Sequence, residues 1–333
     1  MELSTERQPE QIARAAQILN TGGVVAFPTE TVYGLGADVS NDEAIKKIYE
    51  IKQRPENHPL IIHISNMAQL EYWAQDIPLS ARILAEHFWP GPLTLILKRS
   101  KHIPDSVTGG QNTVGIRIPA HPVALALLDA LGHKKALAAP SANLYGKISP
   151  TSAAHVYTAL HEKVDMILDG GACEVGLEST ILGFDQDTVS VLRPGGIPVT
   201  AIESVIDKPV ALIKNQTPQT RVSGSLPAHY APATPLKLYP ADTILHEALK
   251  LSRQGARLVV ITWSEIASLP VKDSNIQHVR MPQDPVSYGK DLYAVLHRHD
   301  TGEFASILME TPPELPAWLA ISDRLQRASY SHT

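Results

Sequence analysis

The chain has 333 residues, of which 44% are apolar and 19% are charged, so a packed globular protein with room for two domains is expected rather than a disordered one. The net charge of −5 excludes a global basic field that could hold a polyanion, and an aromatic content of 5% argues against single-strand nucleic-acid binding by stacking. Cys173 is the only cysteine, which rules out an internal disulfide and a cysteine-rich zinc module.

The same features predict a cytoplasmic protein. A single cysteine suits a reducing compartment, and the first residues, MELSTERQPEQ, are polar and carry acids early, unlike a secretory or transit segment. The best candidate for a membrane helix, residues 123–131, is short and is interrupted by Asp129. No membrane partner is therefore expected.

Alternating helix and strand patterns run through the first 200 residues. A helix over 9–19 is expected to end at Gly22-Gly23, a buried strand follows at 24–27, and Asn41 is expected to cap the next helix. Further strands are predicted at 59–64, 93–97, 113–118, 136–139, 166–168, 180–182 and 189–192, and further helices at 122–131 and 151–160. This alternation predicts an α/β layer fold with one twisted, mixed sheet.

A change of composition after residue 206 marks a second domain. Residues 208–235 are rich in Pro, Thr, Ser and Gln, and this predicted linker ends in the aromatic island His229-Tyr230-Ala231-Pro232. The pattern then restarts as strand 236–239, helix 244–252, strand 258–261, helix 288–296, strand 304–309 and helix 316–328. We therefore predict domains at 1–207 and 236–333, the second a small Rossmann-like α/β unit without a glycine-rich phosphate fingerprint.

Polar and basic residues follow the first predicted strand. The segment from Pro28 to Gly36 contains several hydroxyl side chains and two glycines, a composition typical of a ligand-binding sheet edge. Lys52 and Arg54 stand where the next helix ends. They could simply complement the helix dipole, which is the better interpretation when this segment is considered by itself. Alternatively, the point charge of Lys52 and the planar guanidinium of Arg54 could bind phosphate oxygens.

Three later segments also carry candidate chemistry. Arg117 interrupts an apolar strand, where a solvated position and an anion-holding role are about equally expected. Ser141 and Asn143 lie on a turn of small residues, and Ser149 before Pro150 fits a helix N-cap that could also hold an anion. No Walker loop, zinc motif or nucleophile elbow occurs, and Cys173 has no evident base, so covalent catalysis is not supported.

Taken together, these segments resemble the threonylcarbamoyl-AMP synthase family, built on the YrdC-like domain. The matching text is GGVVAFPTETVYGLGAD, KQRPENHPLIIHI, FWPGPLTLIL, NTVGIRIPAHPVALALL, LAAPSANLYGKISPT, ILDGG, GLESTI and VLRPGG, in the family's order over almost all of residues 10–200. The HYAP island and the C-terminal unit resemble the longer, two-domain branch. The resemblance implies a twisted mixed α/β sheet with a large, locally positive concave cavity.

The resemblance also implies a reaction and its partners. L-threonine, bicarbonate and ATP, with Mg²⁺, would give threonylcarbamoyl-adenylate and pyrophosphate for the threonylcarbamoyladenosine modification of tRNA next to the anticodon. The adenylate would pass to the tRNA threonylcarbamoyltransferase machinery, so tRNA would be met only indirectly. Such an in-line displacement needs alignment and charge neutralisation more than a protein nucleophile.

Carried onto this sequence, the resemblance implies two groups of site residues. The threonine site would comprise Thr31, His63, Arg117, Ala139 and Ser179, with Arg117 clamping the amino-acid carboxylate. The ATP site would comprise Lys52, Arg54, His58, Thr113, Ser141, Asn143, Ser149, Arg193 and Tyr230. Lys52 and Arg54 would be the catalytic pair that carries most of the phosphate charge. The residues that hold Mg²⁺ are not indicated, and Asn57-His58 stand where the family often has Asp-Asn.

Two other functions, and one role for the linker, can be compared with the sequence. An RNA-binding module would need a broad basic face, which the net acidic composition does not favour. Carbamoyl-phosphate chemistry, as in hydrogenase-maturation relatives, would bring zinc-finger segments that one cysteine excludes. Residues 208–235 are expected to fold over the cavity as a lid when ATP binds, although a flexible spacer has the same composition.

Overall fold

A computed structural model describes residues 8–186, 188–213, 221–222, 224, 229–265 and 274–330. The predicted linker is therefore only partly covered, since 214–220, 223 and 225–228 lie outside the described residues. The chain divides into two compact units. The first comprises residues 1–145 and 149–225, and the second comprises 146–148 and 226–333.

The first unit combines eight helices with eleven strands in its described residues. The helices are α1 (Gln8–Asn20), α2 (Asp42–Lys52), α3 (Leu70–Trp73), α4 (Leu79–Phe88), α5 (Asp105–Thr108), α6 (Pro122–Ala130), α7 (Ala153–Leu160) and α8 (Val199–Ile206). The strands are β1 (Val25–Phe27), β2 (Gly34–Asp38), β3 (Ile61–His63), β4 (Ala74–Gln75), β5 (Leu93–Arg99), β6 (Thr113–Arg117), β7 (Leu137–Ala138), β8 (Met166–Ile167), β9 (Thr180–Asp185), β10 (Thr188–Arg193) and β11 (Ala211–Leu212).

One mixed sheet holds all of these strands. Its order is β11-β10-β9-β5-β6-β3-β7-β2-β1-β8, with β4 on β5, and parallel pairs such as β3–β6 stand beside antiparallel pairs such as β5–β6. Successive residues of one strand alternate between two hydrophobic clusters: Ala26 packs in the larger, whereas Val25 and Phe27 pack with α1 and α6. Burial on both faces agrees with the wholly apolar text of β1, which is paired on both sides, with β2 and β8. The predicted mixed α/β fold is confirmed.

Strand β2 was missed, because its text reads as a glycine loop. Gly34–Asp38 instead pairs antiparallel with β1 and lies inside the sheet. The ring of Phe27 lies across this strand, so that a Cβ on Gly36 would come within 2.8 Å of it. The glycines of β2 therefore provide room for the Phe27 ring. The polar sheet edge that was predicted up to Gly36 is confined to the residues before Gly34.

The helix starts were predicted with mixed success. Asn41 caps α2, its side chain accepting the N–H of Ala44 at 3.1 Å, as predicted. The prediction that Ser149 caps the following helix is wrong, because α7 begins at Ala153 and Ser152 is its cap. The hydroxyl of Ser149 is instead turned to a buried carboxylate described below.

The second unit is a parallel sheet with helices packed on it. Its described elements are β12 (Leu236–Tyr239), α9 (Ile244–Arg253), β13 (Leu258–Thr262), β14 (Ile276–Arg280), α10 (Pro285–His299), β15 (Ser306–Glu310) and α11 (Leu319–Tyr330). The strand order is β12-β15-β13-β14 and every pair is parallel. The predicted Rossmann-like alternation is confirmed. Strand β14 was missed because it is an exposed edge strand with the polar text IQHVR.

Helix length and polarity give one further observation. None of the helices in the described part of the chain combines the length and the apolar character that a bilayer crossing requires.

Candidate active site

Strand register places two predicted threonine-site residues side by side. Strands β3 and β6 pair so that His63 lies opposite Arg117, and both side chains are buried. The guanidinium of Arg117 donates from Nε to the carbonyl of Gly91 at 3.1 Å and from Nη1 to Thr31 Oγ1 at 2.9 Å. Its Nη2 lies 2.6 Å from Glu30 Oε1 in a buried ion pair. The planar fork is therefore fixed in one orientation, as a bidentate anion clamp requires.

The pair Arg117–Glu30 answers the question that the sequence left open. Arg117 is not on a solvated face but is 4% exposed, and Glu30 Oε2 also accepts the backbone N–H of Ala120 at 3.0 Å. Burial of a charged Arg in an apolar strand is costly unless a carboxylate balances it. Glu30, which sequence reasoning did not select, supplies that charge, and its place in PTETVYG beside Thr31 was the available signal.

His63 is kept neutral by its surroundings. Burial, and secondly the positive charge of Arg117, lower the pKa of His63 to about 3. Its ring meets Phe27 edge-on with centroids 6.0 Å apart. A neutral imidazole beside a guanidinium can accept or donate a hydrogen bond without adding a second positive charge.

Ser179 links the predicted threonine and ATP groups. Its hydroxyl lies 2.7 Å from Thr94 Oγ1, and Arg193 Nη2 donates to that hydroxyl at 3.1 Å and to the Ser179 carbonyl at 2.8 Å. Arg193 ends β10 and Ser179 immediately precedes β9, and β9 and β10 pair antiparallel. The two residues predicted for separate ligands are thus direct neighbours.

Lys52 has an environment unusual for a lysine. It ends α2, is 1% exposed, and donates from Nζ to the carbonyl oxygens of Ser141 and Asn143, each at 2.5 Å. Burial, and then the charge of Arg54, lower the pKa of Lys52 well below its ordinary value. Within the described residues this ammonium group has no carboxylate partner. It therefore does not act as an exposed helix-end charge.

Arg54 continues the basic cluster toward His58. Its Nη2 donates to the carbonyl of Pro59 at 2.9 Å, and its guanidinium lies 5.6 Å from the centre of the Tyr145 ring. The Tyr145 hydroxyl lies 2.9 Å from His58 Nδ1. Burial, then the charges of Arg54 and Arg221, lower the pKa of His58. The structure thus brings together His58 and the two basic residues that precede it.

The other predicted ATP residues occupy the same unit, with one exception. Ser149 is fully buried and donates to Glu178 Oε1 at 2.6 Å. Thr113 lines an open recess with Gln111, Arg221 and Val222, so part of the predicted linker lies on the first sheet. The side chain of Gln111 accepts the Arg221 N–H at 2.8 Å and donates to the Arg221 carbonyl at 3.1 Å.

Tyr230 is the exception, because it belongs to the second unit. Its ring is 1% exposed, stacks on Tyr293 with centroids 5.9 Å apart, and has the Arg324 guanidinium 5.0 Å from its centre. Tyr230 also has a positive φ of 63°. Its role in ATP binding stays a prediction.

Two polar residues that the sequence analysis did not select, Thr94 and Glu178, support the site. Thr94 orients Ser179, and Glu178 orients Ser149. The backbone N–H of Ala139, which was predicted for the threonine site, donates to the Ile61 carbonyl at 2.9 Å. The segment GLEST in the sequence could have indicated Glu178 as a site residue, whereas no sequence feature indicated Thr94. Cys173 is buried, and burial raises the pKa of its thiol to about 12, with the charge of Glu30 adding to the effect. Such a thiol is a poor nucleophile.

Comparisons with known proteins cover nearly the whole chain. Residues 17–195 match the family model described as "Telomere recombination", and residues 197–329 match "Threonylcarbamoyl-AMP synthase, C-terminal domain". The threonylcarbamoyl-AMP synthase of Bacillus subtilis is 42% identical over 335 residues, which cover 98% of this chain and 95% of the relative. That of Pyrococcus abyssi is 38% identical, covering 96% of this chain and 94% of the relative.

A solved structure extends the comparison to the fold. The crystal structure of P. abyssi Sua5 complexed with L-threonine has a TM-score of 0.88 and 36% sequence identity, covering 97% of this chain and 95% of that chain. Escherichia coli YciO has a TM-score of 0.51 and 29% identity, covering 56% of this chain and 90% of that chain. The similarity to Sua5 therefore includes both units, whereas that to YciO covers little more than half of the chain.

Proposed function

Because the chain belongs to the threonylcarbamoyl-AMP synthase family, whose members form adenylates, we propose that it makes threonylcarbamoyl-adenylate and pyrophosphate. The substrates are L-threonine, bicarbonate and ATP, and the product serves the threonylcarbamoyladenosine modification of tRNA next to the anticodon. The observation that carries this proposal is Lys52, a buried ammonium group held by two carbonyl oxygens. A buried cation without a counter-charge is costly, and the phosphates of a nucleotide would supply that charge.

The reaction has two bond-forming steps. The threonine amine attacks the carbon of bicarbonate, and loss of water leaves a carbamate. A carbamate oxygen then attacks the α-phosphorus of ATP, the bond to the bridging oxygen of the β-phosphate breaks, and pyrophosphate leaves with the electron pair. The protein aligns the reactants and neutralises charge, and no side chain forms a covalent bond.

Arg117 is proposed to hold the carboxylate of threonine. Glu30, Thr31 and the Gly91 carbonyl fix three sides of its guanidinium, so little side-chain freedom is lost on binding. Neutral His63 and the hydroxyl of Ser179 are polar groups suited to the amine and hydroxyl of threonine, with the Ala139 backbone beside them. Because His63 is neutral, the threonine amine meets no second cation there.

Lys52 and Arg54 are proposed to neutralise the phosphates. The remaining nucleotide contacts in this proposal come from His58, Thr113, Ser141, Asn143, Ser149, Arg193 and Tyr230. Mg²⁺ is treated as part of the MgATP substrate, because phosphates hold it together with one or two carboxylates. In the part of the chain that the structure describes, no three His, Cys, Asp or Glu side chains come together as a metal cluster. The adenylate then passes to the tRNA threonylcarbamoyltransferase machinery.

The proposal is tested by following pyrophosphate release. Pyrophosphate should appear only when L-threonine, bicarbonate, ATP and Mg²⁺ are all present, and omission of threonine is the matched control. Release of ADP and phosphate would instead mean that the γ-phosphorus is attacked, which contradicts adenylate formation. Release that does not depend on threonine would contradict the assignment of the amino-acid site.

A further inference from the structure

The second unit has its own chemically distinct edge, at the carboxyl ends of its central strands. Parallel β13 ends at Thr262 and the neighbouring β15 ends at Glu310. In open α/β sheets ligands bind outside the carboxyl ends of the strands. Nothing in the reaction proposed above uses this edge, so its polar groups need a separate explanation.

Glu310 is the residue that draws attention to this edge. It is 2% exposed, and its Oε2 accepts the backbone N–H groups of Trp263 at 2.8 Å and Ser264 at 3.0 Å. Its Oε1 is equally buried and, among the described residues, has no hydrogen-bond partner and no paired Lys or Arg. Oε2 thus satisfies two backbone N–H groups, whereas Oε1 leaves a buried acceptor and a negative charge unsatisfied, which is unfavourable.

Three aromatic residues in contact with one another are connected to this strand end. Trp263 follows β13 and donates from Nε1 to the Thr311 carbonyl at 3.1 Å, its ring 5.3 Å from that of Trp318. Trp318 in turn lies 5.2 Å from Tyr288, whose pKa is raised by burial and then by the charge of Glu310. Ring contacts therefore link Trp263 to Trp318 and Trp318 to Tyr288, and the backbone N–H of Trp263 joins this group to Glu310. Trp263 is only half-buried, so the ring is open to solvent at that point.

We propose that this edge binds a small organic ammonium ion. One N–H of the ammonium donates to Glu310 Oε1, and its positive charge lies against the indole faces of Trp263 and Trp318. Carboxylate and aromatic faces are both attractive to organic cations, and desolvation strengthens the second attraction. An anion would meet the charge of Glu310, and a neutral apolar ligand would leave Oε1 unsatisfied. Val286 in the first turn of α10, after β14, and Leu315, in the segment after β15, have exposed apolar side chains that suit an alkyl group on the ammonium.

The test uses the full chain and n-butylammonium chloride, with n-butanol as the neutral probe of equal length and sodium chloride to match ionic strength. Indole N–H resonances report binding directly, since Trp263 and Trp318 are two of only four tryptophans. Butylammonium should shift these two resonances saturably, and butanol should bind at least tenfold more weakly. Glu310→Gln keeps an acceptor for both backbone N–H groups, yet should weaken butylammonium binding at least tenfold.

Matched variants separate the site from general effects. Glu303→Gln removes an exposed carboxylate of the same unit, paired with Arg257 at 3.3 Å, and should leave binding unchanged. If Glu310→Gln fails to fold, Trp263→Leu provides the test and should also weaken binding at least tenfold. Equal binding of butanol, equal binding by a folded Glu310→Gln or Trp263→Leu variant, or no indole shift in the parent chain would overturn the proposal.

Discussion

Two buried cations in the first unit, Arg117 and Lys52, have opposite environments. Arg117 lies against Glu30 at 2.6 Å, so its charge is balanced within the protein. Lys52 contacts only carbonyl oxygens in the described structure, and burial lowers its pKa. A balanced charge is held in place whether or not a ligand binds, whereas an unbalanced one gains its counter-charge from a ligand. The difference indicates a fixed clamp at Arg117 and a phosphate-dependent group at Lys52.

The largest effect is expected when the balance at Arg117 is removed. Glu30→Gln keeps the shape of the side chain but leaves a buried guanidinium without its counter-charge, which typically costs about 3–5 kcal/mol of unfolding free energy. Denaturant unfolding measures this cost. The control is Glu71→Gln, whose exposed pair with Arg82 should contribute no more than about 1 kcal/mol. Equal stability of the two variants would show that Arg117 does not depend on Glu30.

Arg117 itself tests the clamp. Arg117→Ala should weaken threonine binding by roughly 2–5 kcal/mol, the usual cost of losing one partner of a buried charge pair, while ATP affinity changes far less. Arg117→Lys keeps the charge next to Glu30 but loses the planar fork, so it should also weaken threonine binding while remaining folded. Calorimetry with each ligand separates the two affinities. An equal loss for threonine and ATP would mean that the pocket is misassigned.

His63 gives a smaller, pH-dependent effect. Its folded pKa of about 3 lies below the unfolded value near 6.5, so the unfolded state binds the proton first and stability is lost as pH falls from 6.5 toward 3. By pH 5 the loss should be about 2 kcal/mol. His63→Gln should flatten this acid limb, and the exposed His133→Gln should not. Unfolding free energies at several pH values provide the measurement, and parallel curves for parent and His63→Gln would contradict this account.

The smallest effect is expected in the predicted linker. Arg221 is fastened to Gln111 by two hydrogen bonds, and Val222 packs with Ile181 and Leu192. ATP with threonine should stabilise the closed form of this segment. Proteolytic cleavage within residues 208–235 should therefore slow by a few-fold when both ligands are present. Gln111→Ala should reduce that protection. Cleavage at the same rate with and without ligands would support a flexible spacer instead of a lid.

The local pattern of apolar residues predicted much of the fold. The remaining elements depend on contacts between residues that are far apart in the sequence. Apolar periodicity located most of the long elements of both units, since burial imposes it directly, but helices α3, α4, α5 and α8 and strands β4 and β11 were not predicted. It also could not identify β2, where the Phe27 ring on the neighbouring strand β1 requires glycine, or the exposed edge strand β14. The capping prediction at Ser149 was wrong because Glu178, 29 residues away, takes its hydroxyl. Such long-range partners leave no periodic trace.

The candidate site could likewise be predicted only in part from the sequence. Residue type and the family resemblance selected Arg117, Lys52 and Arg54, but the sequence could not say which of them is balanced by a carboxylate. Glu30 stands 87 residues before Arg117, and the two meet only in the folded chain. The roles assigned to these residues in binding threonine and ATP stay predictions.

Lys52→Met is the most direct test of the central claim, that a nucleotide supplies the counter-charge of a buried ammonium. Methionine keeps the length and removes the charge, so pyrophosphate release should fall by about 100-fold or more while the unfolding free energy stays equal or rises. Lys47→Met is the control, because Lys47 lies on the same helix, is exposed, and also donates to one carbonyl, that of Gly22. It should change neither quantity. A Lys52→Met enzyme that loses several kcal/mol of stability but retains the parent rate would contradict the account.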